Sequence, residues 1–266
     1  MDYLERRLKM LNLFEKIFKK PSRADYFLPR GSRVYAVGDI HGRADLLKAM
    51  HRLIEEDAAR DPVPENVLVY LGDYIDRGVF VREVLDMLCS DVLPDFRHIF
   101  LKGNHEQLFL DFEQDPSLLE LWIELGGGST LLSYQVQVPG SGFSLERTNQ
   151  VRDELLQSMP KEHMRFLKNL KPFARMGDIL FVHAGIRPEA ALEKQKPEDL
   201  LWIREDFLSS EMDFGLRVIH GHTIIRQVQE LPNRVGIDTG AYATGILTCA
   251  VLEDNRIRYL STEQEA

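Results

Sequence analysis

Cysteine is nearly absent: the 266 residues include two, Cys89 and Cys249, too few for a disulfide framework and without metal-ligand spacing. Both fall among apolar neighbours, and the sequence predicts small packed hydrophobes in a reducing compartment. No uninterrupted apolar run is long enough to cross a bilayer. The first residues also lack the uncharged apolar core of a signal peptide, so the expected location is cytoplasmic. Positive charge is in deficit, with 33 Lys and Arg against 42 Asp and Glu for a formal net charge of -9. That balance excludes an affinity built on clustered contacts to nucleic-acid phosphates. Internal repeats and low-complexity tracts are missing too. What is present is a chain 44% hydrophobic, enough to bury a core in one domain with or without an elaboration, and no disordered class has that composition.

The stretch Gly72-Asp73-Tyr74-Ile75-Asp76-Arg77-Gly78 follows Val67-Leu68-Val69-Tyr70-Leu71, a short β-branched and apolar run that reads as a buried strand. Two carboxylates and a guanidinium therefore emerge together at a strand's C-terminal end, where ligands bind in open α/β sheets. Asp73 suits a hard metal, and Arg77 can fork onto a phosphate. Alone, such a stretch is equally a solvated turn with internal salt bridges. It is not alone. Gly38-Asp39-Ile40-His41-Gly42, Gly103-Asn104-His105-Glu106, His183-Ala184-Gly185 and Gly221-His222-Thr223 each follow an apolar run in the same way.

Between these clusters the chain alternates. Residues 44–59, 79–89 and 106–112 carry helical spacing between strands at 33–37, 67–71 and 98–101, a βαβαβα rhythm that predicts a mainly parallel sheet. Residues 113–178 break it with two helical patterns, 118–125 and 151–170, and glycine-rich turns, and read as a cap inserted beside the site. Strands resume at 179–182, 216–219, 235–237, 246–252 and 256–260, in a succession that predicts antiparallel pairing and a second sheet packed on the first. Residues 1–20 form a basic amphipathic pattern closed by Pro21, suited to docking on the chain itself, a second subunit, a partner or a membrane surface. The expected organisation is thus an N-terminal helix and connector over 1–32 and one domain over 33–266.

As a set, Asp39, His41, Asp73, Asn104, His183 and His222 mix carboxylate, amide and imidazole donors without thiolate, which suits Mn, Fe or Zn better than a calcium cage. Divided between two ions with one carboxylate shared, they leave open positions and make a two-metal centre, with ions about 3.5–4 Å apart. In order and spacing the five motifs resemble the bacterial-type phosphoprotein phosphatase branch of the calcineurin-like metallophosphoesterases. That resemblance implies an α/β fold of two packed mixed sheets flanked by helices, an αββα sandwich with a helical cap insertion. It also implies that Asp39 and His41 hold one ion, Asp73 bridges, and Asn104, His183 and His222 hold the other. A hydroxide between the ions would attack phosphorus in line, Arg77, Asn104 and Arg204 would bind phosphate, and His105, oriented by Asp76, would protonate the leaving group.

The function so implied is a serine/threonine protein phosphatase using two divalent ions, manganese foremost. Symmetrical diadenosine tetraphosphate hydrolysis is the alternative, and a non-catalytic scaffold the remote one. Several residues stay open. Arg204 could instead pair with Glu205 or Asp206, Arg187 is a rim candidate, and His220 reads as a packed or supporting histidine. Asp238 and Tyr242 either border the site or serve as a turn carboxylate and a packing tyrosine. His51, His98 and His163 read as ordinary surface or core histidines.

Overall fold

The computed structural model describes residues 26–265 apart from 91, 141 and 143, so the amphipathic segment 1–20 lies outside the described residues. Ser32–Val37 forms β1, buried along its whole length, and α1 (Ala44–Arg60) carries the chain to β2 (Glu65–Tyr70). After α2 (Val81–Cys89) comes β3 (Phe96–Phe100), and β1, β2 and β3 pair in parallel as the rhythm predicts. The last two strands, β9 (Thr248–Glu253) and β10 (Arg256–Ser261), return to this sheet as an antiparallel hairpin beside β1. The resulting order is β10-β9-β1-β2-β3.

The second sheet holds β4 (Phe173–Met176), β5 (Ile179–Val182), β6 (Arg217–His220), β7 (Gln229–Glu230) and β8 (Arg234–Gly236), in the order β4-β5-β6-β8-β7. Its middle strands β5, β6 and β8 run parallel, and only the edges β4 and β7 pair antiparallel. The predicted antiparallel run of C-terminal strands is corrected on both counts. Its first three members are parallel, with long excursions rather than tight turns between them, and its last two belong to the first sheet. The short strands β4 and β7 carry too few residues to show a pattern in the sequence.

Period-two alternation sorts β1 and β2 between two apolar layers. Val34, Ala36, Val67 and Val69 pack between the sheets against Phe181, Ile219, Val235 and Ile237. Tyr35, Val37, Leu68 and Tyr70 point the other way, onto Leu47, Met50 and Ile54 of α1 and Val84 and Leu85 of α2. Both faces being covered, these strands read as continuous apolar runs. Each fully buried Leu or Phe in such a layer contributes about 1.5–3 kcal/mol. The outer face of the second sheet is closed by α8 (Pro197–Trp202) and α9 (Glu205–Leu208), through Leu200, Ile203 and Phe207 on Leu180, Val182 and Val218.

Between β3 and β4 the described residues include α3 (Asn104–Gln114), α4 (Leu119–Trp122), α5 (Gly128–Ser133), α6 (Leu145–Ser158) and α7 (Lys161–Lys168). They share the apolar layer of the first sheet through Phe109, Phe112, Leu119, Trp122, Leu131, Val151, Leu155 and Leu167. The single helix expected over 151–170 is two, because Pro160 cannot donate within a helix and holds Met159 extended at φ -79°, ψ 125°. The pattern at 118–125 ends in a widened turn over Ile123–Gly127, with Gly126 at φ 118°. Cys249 is buried as expected, whereas Cys89, at the end of α2, is exposed.

Candidate metal centre and phosphate site

All five motifs lie at the C-terminal ends of β1, β2, β3, β5 and β6, so two sheets deliver their polar ends to one place. Direct backbone bonds lock these ends: Ile40 and His41 N–H both donate to the Asp73 carbonyl, at 3.1 and 2.8 Å, and Gly221 N–H donates to that of His183 at 2.8 Å. Close approach requires glycine at two of them. A Cβ on Gly103 would stand 2.1 Å from Asp73 Oδ1, and one on Gly221 2.1 Å from Asp39 Oδ1. His41, Asp73, Asp76, Arg77 and His222 take left-handed φ values of 46°, 50°, 69°, 63° and 62°, a conformation that costs a non-glycine residue about 1–2 kcal/mol.

Two groups of donors form around Asp73. His41, Asp73 and His105 make one and Asp73, His183 and His222 the other, the donor atoms of each within 4.8 Å of one another and all buried. Asp39 lies outside both sets. Its Oδ2 accepts from His222 N–H at 3.0 Å, and its Oδ1 is buried without a partner. His41 Nδ1 donates to the Ile75 carbonyl at 2.8 Å, which leaves the Nε2 lone pair facing Asp73 Oδ2 at 3.4 Å. His183 Nδ1 likewise donates to the Leu71 carbonyl at 3.0 Å, and its Nε2 lone pair stands 2.9 Å from Asn104 Oδ1. His222 Nδ1 lies 2.8 Å from that same oxygen, while its Nε2 is buried and unpartnered.

Lone pairs facing lone pairs repel unless a cation stands between them, and a buried orphan oxygen carries the same requirement. The two donor groups that share Asp73 therefore fit divalent metal, with the orphan Asp39 oxygen and the Asn104 amide oxygen beside them. The electrostatics agree. Burial keeps His41 and His222 neutral, pushing them down to about 3 and about 2, and neutral imidazole is the ligand form. Burial also acts to raise Asp73, but His183, His105, His41 and His222 outweigh it and hold its carboxyl well below the usual range. Asp39 is raised by burial and by the charges of Asp238 and Asp73.

His105 stands apart from the other histidines. Its Nδ1 lies 2.7 Å from Asp76 Oδ2, and its Nε2 turns toward the site, 3.9 Å from Asp73 Oδ2 and 3.5 Å from Arg77 Nη2. Burial acts to lower it, but Asp73 and the Asp76 hydrogen bond raise it to about 9. An imidazolium at neutral pH with one N–H pointed into the site can donate a proton. Arg77 is exposed, donates to the Tyr242 hydroxyl at 2.9 Å and lies over that ring at 4.8 Å. Tyr242 also meets the His41 ring edge-on at 5.3 Å, which makes it a wall of the site.

Arg204 donates to Thr223 Oγ1 in the Gly-His-Thr motif at 3.2 Å, not to Glu205 or Asp206. Asp206 is engaged by Arg187, which also grips Asp199 at 2.6 Å, so Arg187 is held by carboxylates. Asp238 is buried at the site's edge, raised to about 6 chiefly by burial, and its Oδ1 accepts from Gly240 N–H at 2.9 Å. His220 packs edge-on against Phe207 at 5.1 Å and belongs to neither donor group. His51 and His163 are buried, bonded to the Tyr70 and Tyr134 hydroxyls at 2.8 and 2.7 Å.

One residue of the motifs had no expected role. Glu106 is fully buried, and its carboxylate collects four N–H groups, from Gly103 and Asp73 at 2.9 Å, Tyr74 at 2.8 Å and Ile75 at 3.2 Å. Burial and Asp73 push it up to about 7 against the pull of those donors. It ties the turn after β2 to the start of α3, and its signal in the sequence was its place directly after the Gly-Asn-His cluster.

The chain belongs to the calcineurin-like phosphoesterase family, whose model matches residues 32–259. The family uses a dinuclear metal centre, and the chain is accordingly a phosphoric ester hydrolase. It is 30% identical over 227 residues to serine/threonine-protein phosphatase 1 of Salmonella typhimurium, a match covering 83% of this chain and 92% of that protein. It is 25% identical to the asymmetrical bis(5'-nucleosyl)-tetraphosphatase PrpE of Anoxybacillus flavithermus, across 80% of this chain and 87% of the other. Among solved structures, one provisionally described as a diadenosine tetraphosphatase superposes with a TM-score of 0.62 at 21% identity, covering 87% of this chain and 94% of that one. No helix among the described residues is long and apolar enough to cross a membrane.

Proposed function

We propose that this protein is a metal-dependent serine/threonine protein phosphatase hydrolysing phosphomonoesters. The observation that carries the reading is the set of guanidinium groups at the site among the described residues: Arg77 and Arg204 are there, while Arg187 is held by carboxylates. Two forks suit one phosphoryl group, whereas a polyphosphate chain needs cations for several in a row. The similarity to serine/threonine-protein phosphatase 1 over 83% of this chain supports the same reading.

Two divalent ions, manganese foremost with iron or zinc as substitutes, would be held by Asp39, His41, Asp73, Asn104, His183 and His222, and when bound supply a nucleophile at neutral pH and charge for the phosphoryl oxygens. Arg77 and Arg204 orient the phosphoryl group, with the Asn104 amide beside it. His105 Nε2 gives its proton to the departing alkoxide, and Asp76 holds Nδ1–H and with it the ring plane. We assign residues 33–266 to the catalytic domain, with 113–178 and 204–215 shaping the groove and the cytoplasm as its location.

Dinucleoside polyphosphate hydrolysis is the second reading, favoured by the likeness to PrpE. Chelator-stripped protein, with and without manganese, is offered a phosphothreonine peptide and diadenosine tetraphosphate side by side. Manganese-dependent phosphate release from the peptide, with the dinucleotide intact, is the expected result. Preferential cleavage of the dinucleotide moves the assignment to the second reading, its products telling symmetrical from asymmetrical cleavage. Inactivity on both across several metals removes catalysis.

A further inference from the structure

Asp76 is fully buried, and three donors converge on its two carboxylate oxygens. Oδ2 takes His105 Nδ1–H at 2.7 Å and the Trp122 indole N–H at 3.0 Å, while Oδ1 takes the Thr130 hydroxyl at 2.5 Å. Thr130 Oγ1 in turn accepts from the Asp76 backbone N–H at 3.1 Å. Trp122 and Thr130 are themselves fully buried, and they lie 46 and 54 residues further along the chain. A buried carboxylate with every donor supplied by fixed groups has a single orientation.

The same segment also holds Arg77. The Gly126 carbonyl accepts from Arg77 N–H at 3.1 Å, and Ser129 Oγ donates to the Arg77 carbonyl at 2.9 Å. The two glycines make room for this. A Cβ on Gly127 would meet the Trp122 indole at 2.4 Å, and one on Gly126 would meet Arg77 Cγ at 2.8 Å. Both neighbours Asp76 and Arg77 are therefore set by Trp122–Thr130 rather than by their own strand.

We infer that Trp122 and Thr130 are positioning residues for leaving-group protonation: they fix Asp76, and through it the Nδ1–H tautomer and ring plane of His105. The inference rests on the reading of His105 as the proton donor. In that step the oxygen of an incoming water bonds to phosphorus, its protons staying with the phosphate product, as the bond to the leaving oxygen breaks. The leaving oxygen keeps the electron pair and takes the Nε2 proton. The imidazole that remains is neutral, its Nδ1–H still on Asp76. Loss of Trp122 or Thr130 lets the Asp76 carboxylate turn and the ring swing with it, so protonation suffers while attack does not.

The test uses the full chain carrying Trp122→Phe, Thr130→Val or Thr130→Ser, loaded with manganese and assayed on phosphate esters whose leaving groups range from nitrophenol to simple alcohols. Expected for Trp122→Phe and Thr130→Val is a loss of roughly 10-fold to 100-fold on alkyl esters, with nitrophenyl phosphate within about 2-fold of the parent. Thr130→Ser, which keeps the hydroxyl, restores the alkyl rate. A uniform loss across the series overturns the inference, as does a Thr130→Ser variant no better than Thr130→Val. A second readout needs no metal: proton NMR of the stripped protein should show the His105 Nδ1–H as a low-field resonance that broadens or vanishes in Thr130→Val, and an unchanged resonance overturns the inference. His105→Ala serves as the control. If it shows no leaving-group dependence, the proton-donor reading fails, and the resonance alone decides whether Trp122 and Thr130 hold the pair.

Discussion

On the first sheet, His105 reaches Asp76, Asp76 reaches Trp122 and Thr130, and Glu106 gathers four backbone N–H groups. Across the site, His183 and His222 turn on one Asn104 oxygen, and His222 Nε2 has no partner. The half built on His105 and Asp76 is complete in protein atoms alone. The donors grouped on Asp73 are not: His41 Nε2 faces Asp73 Oδ2, His183 Nε2 faces Asn104 Oδ1, and Asp39 Oδ1 and His222 Nε2 are left without partners. Preorganisation is therefore local to a task rather than a property of the whole site.

The largest test of that contrast is Asp73→Asn, which removes the carboxylate common to both donor groups. Metal content measured on the purified variant should fall for both ions and activity should drop to background; full occupancy would refute the bridging role. Next, His105→Ala should cost roughly 10²- to 10⁴-fold on alkyl phosphates and much less on nitrophenyl phosphate, with metal content unchanged. Equal losses on both esters would remove it as the acid. Smaller again, Arg204→Ala should lower kcat/KM by roughly 10-fold to 100-fold, the worth of one charge-assisted hydrogen bond, while Arg187→Ala should leave it near the parent value. Matching effects would show that the pairing of Arg187 with Asp199 and Asp206 does not keep it from substrate.

The last test reads stability instead of rate, and concerns pH. His51, against Tyr70, and His220, against Phe207, are both lowered to about 4, by burial first. Unfolded, each titrates near 6.5. Above about 6.5 both states are neutral and the full stability is present. As pH falls from there toward about 4 the unfolded chain binds protons that the folded chain refuses, and stability is lost, at most about 3 kcal/mol per histidine. Urea denaturation of stripped protein at pH 7, 5 and 4 measures the slope, and His51→Gln should reduce it. A flat profile would mean that these imidazoles are already hydrated or charged.

The residues that gather in the site were legible because each is tied by glycine to the end of an apolar run; Asp39, Asp73 and His183 could be read without knowing what they face. Trp122, Thr130 and Glu106 were not legible as supports, because each acts through a contact 33 to 54 residues away in sequence, and nothing local to Trp122 distinguishes an indole that donates from one that only packs. Sheet membership failed for a similar reason. The β9–β10 hairpin pairs with β1, more than 200 residues before it, and closeness in sequence to β8 gave no hint of that return. Pro160 is visible in the sequence, but the apolar spacing of residues 151–170 runs on through it and hides the split.

Five residues at the centre of the site hold left-handed backbone that glycine or asparagine would adopt with less strain. Stability and chemistry therefore pull in opposite directions at His41, Asp73, Asp76, Arg77 and His222. Under selection for thermal tolerance alone, these positions should be among the first to drift, and glycine appearing there in a laboratory lineage would report that hydrolysis had stopped mattering before any assay did.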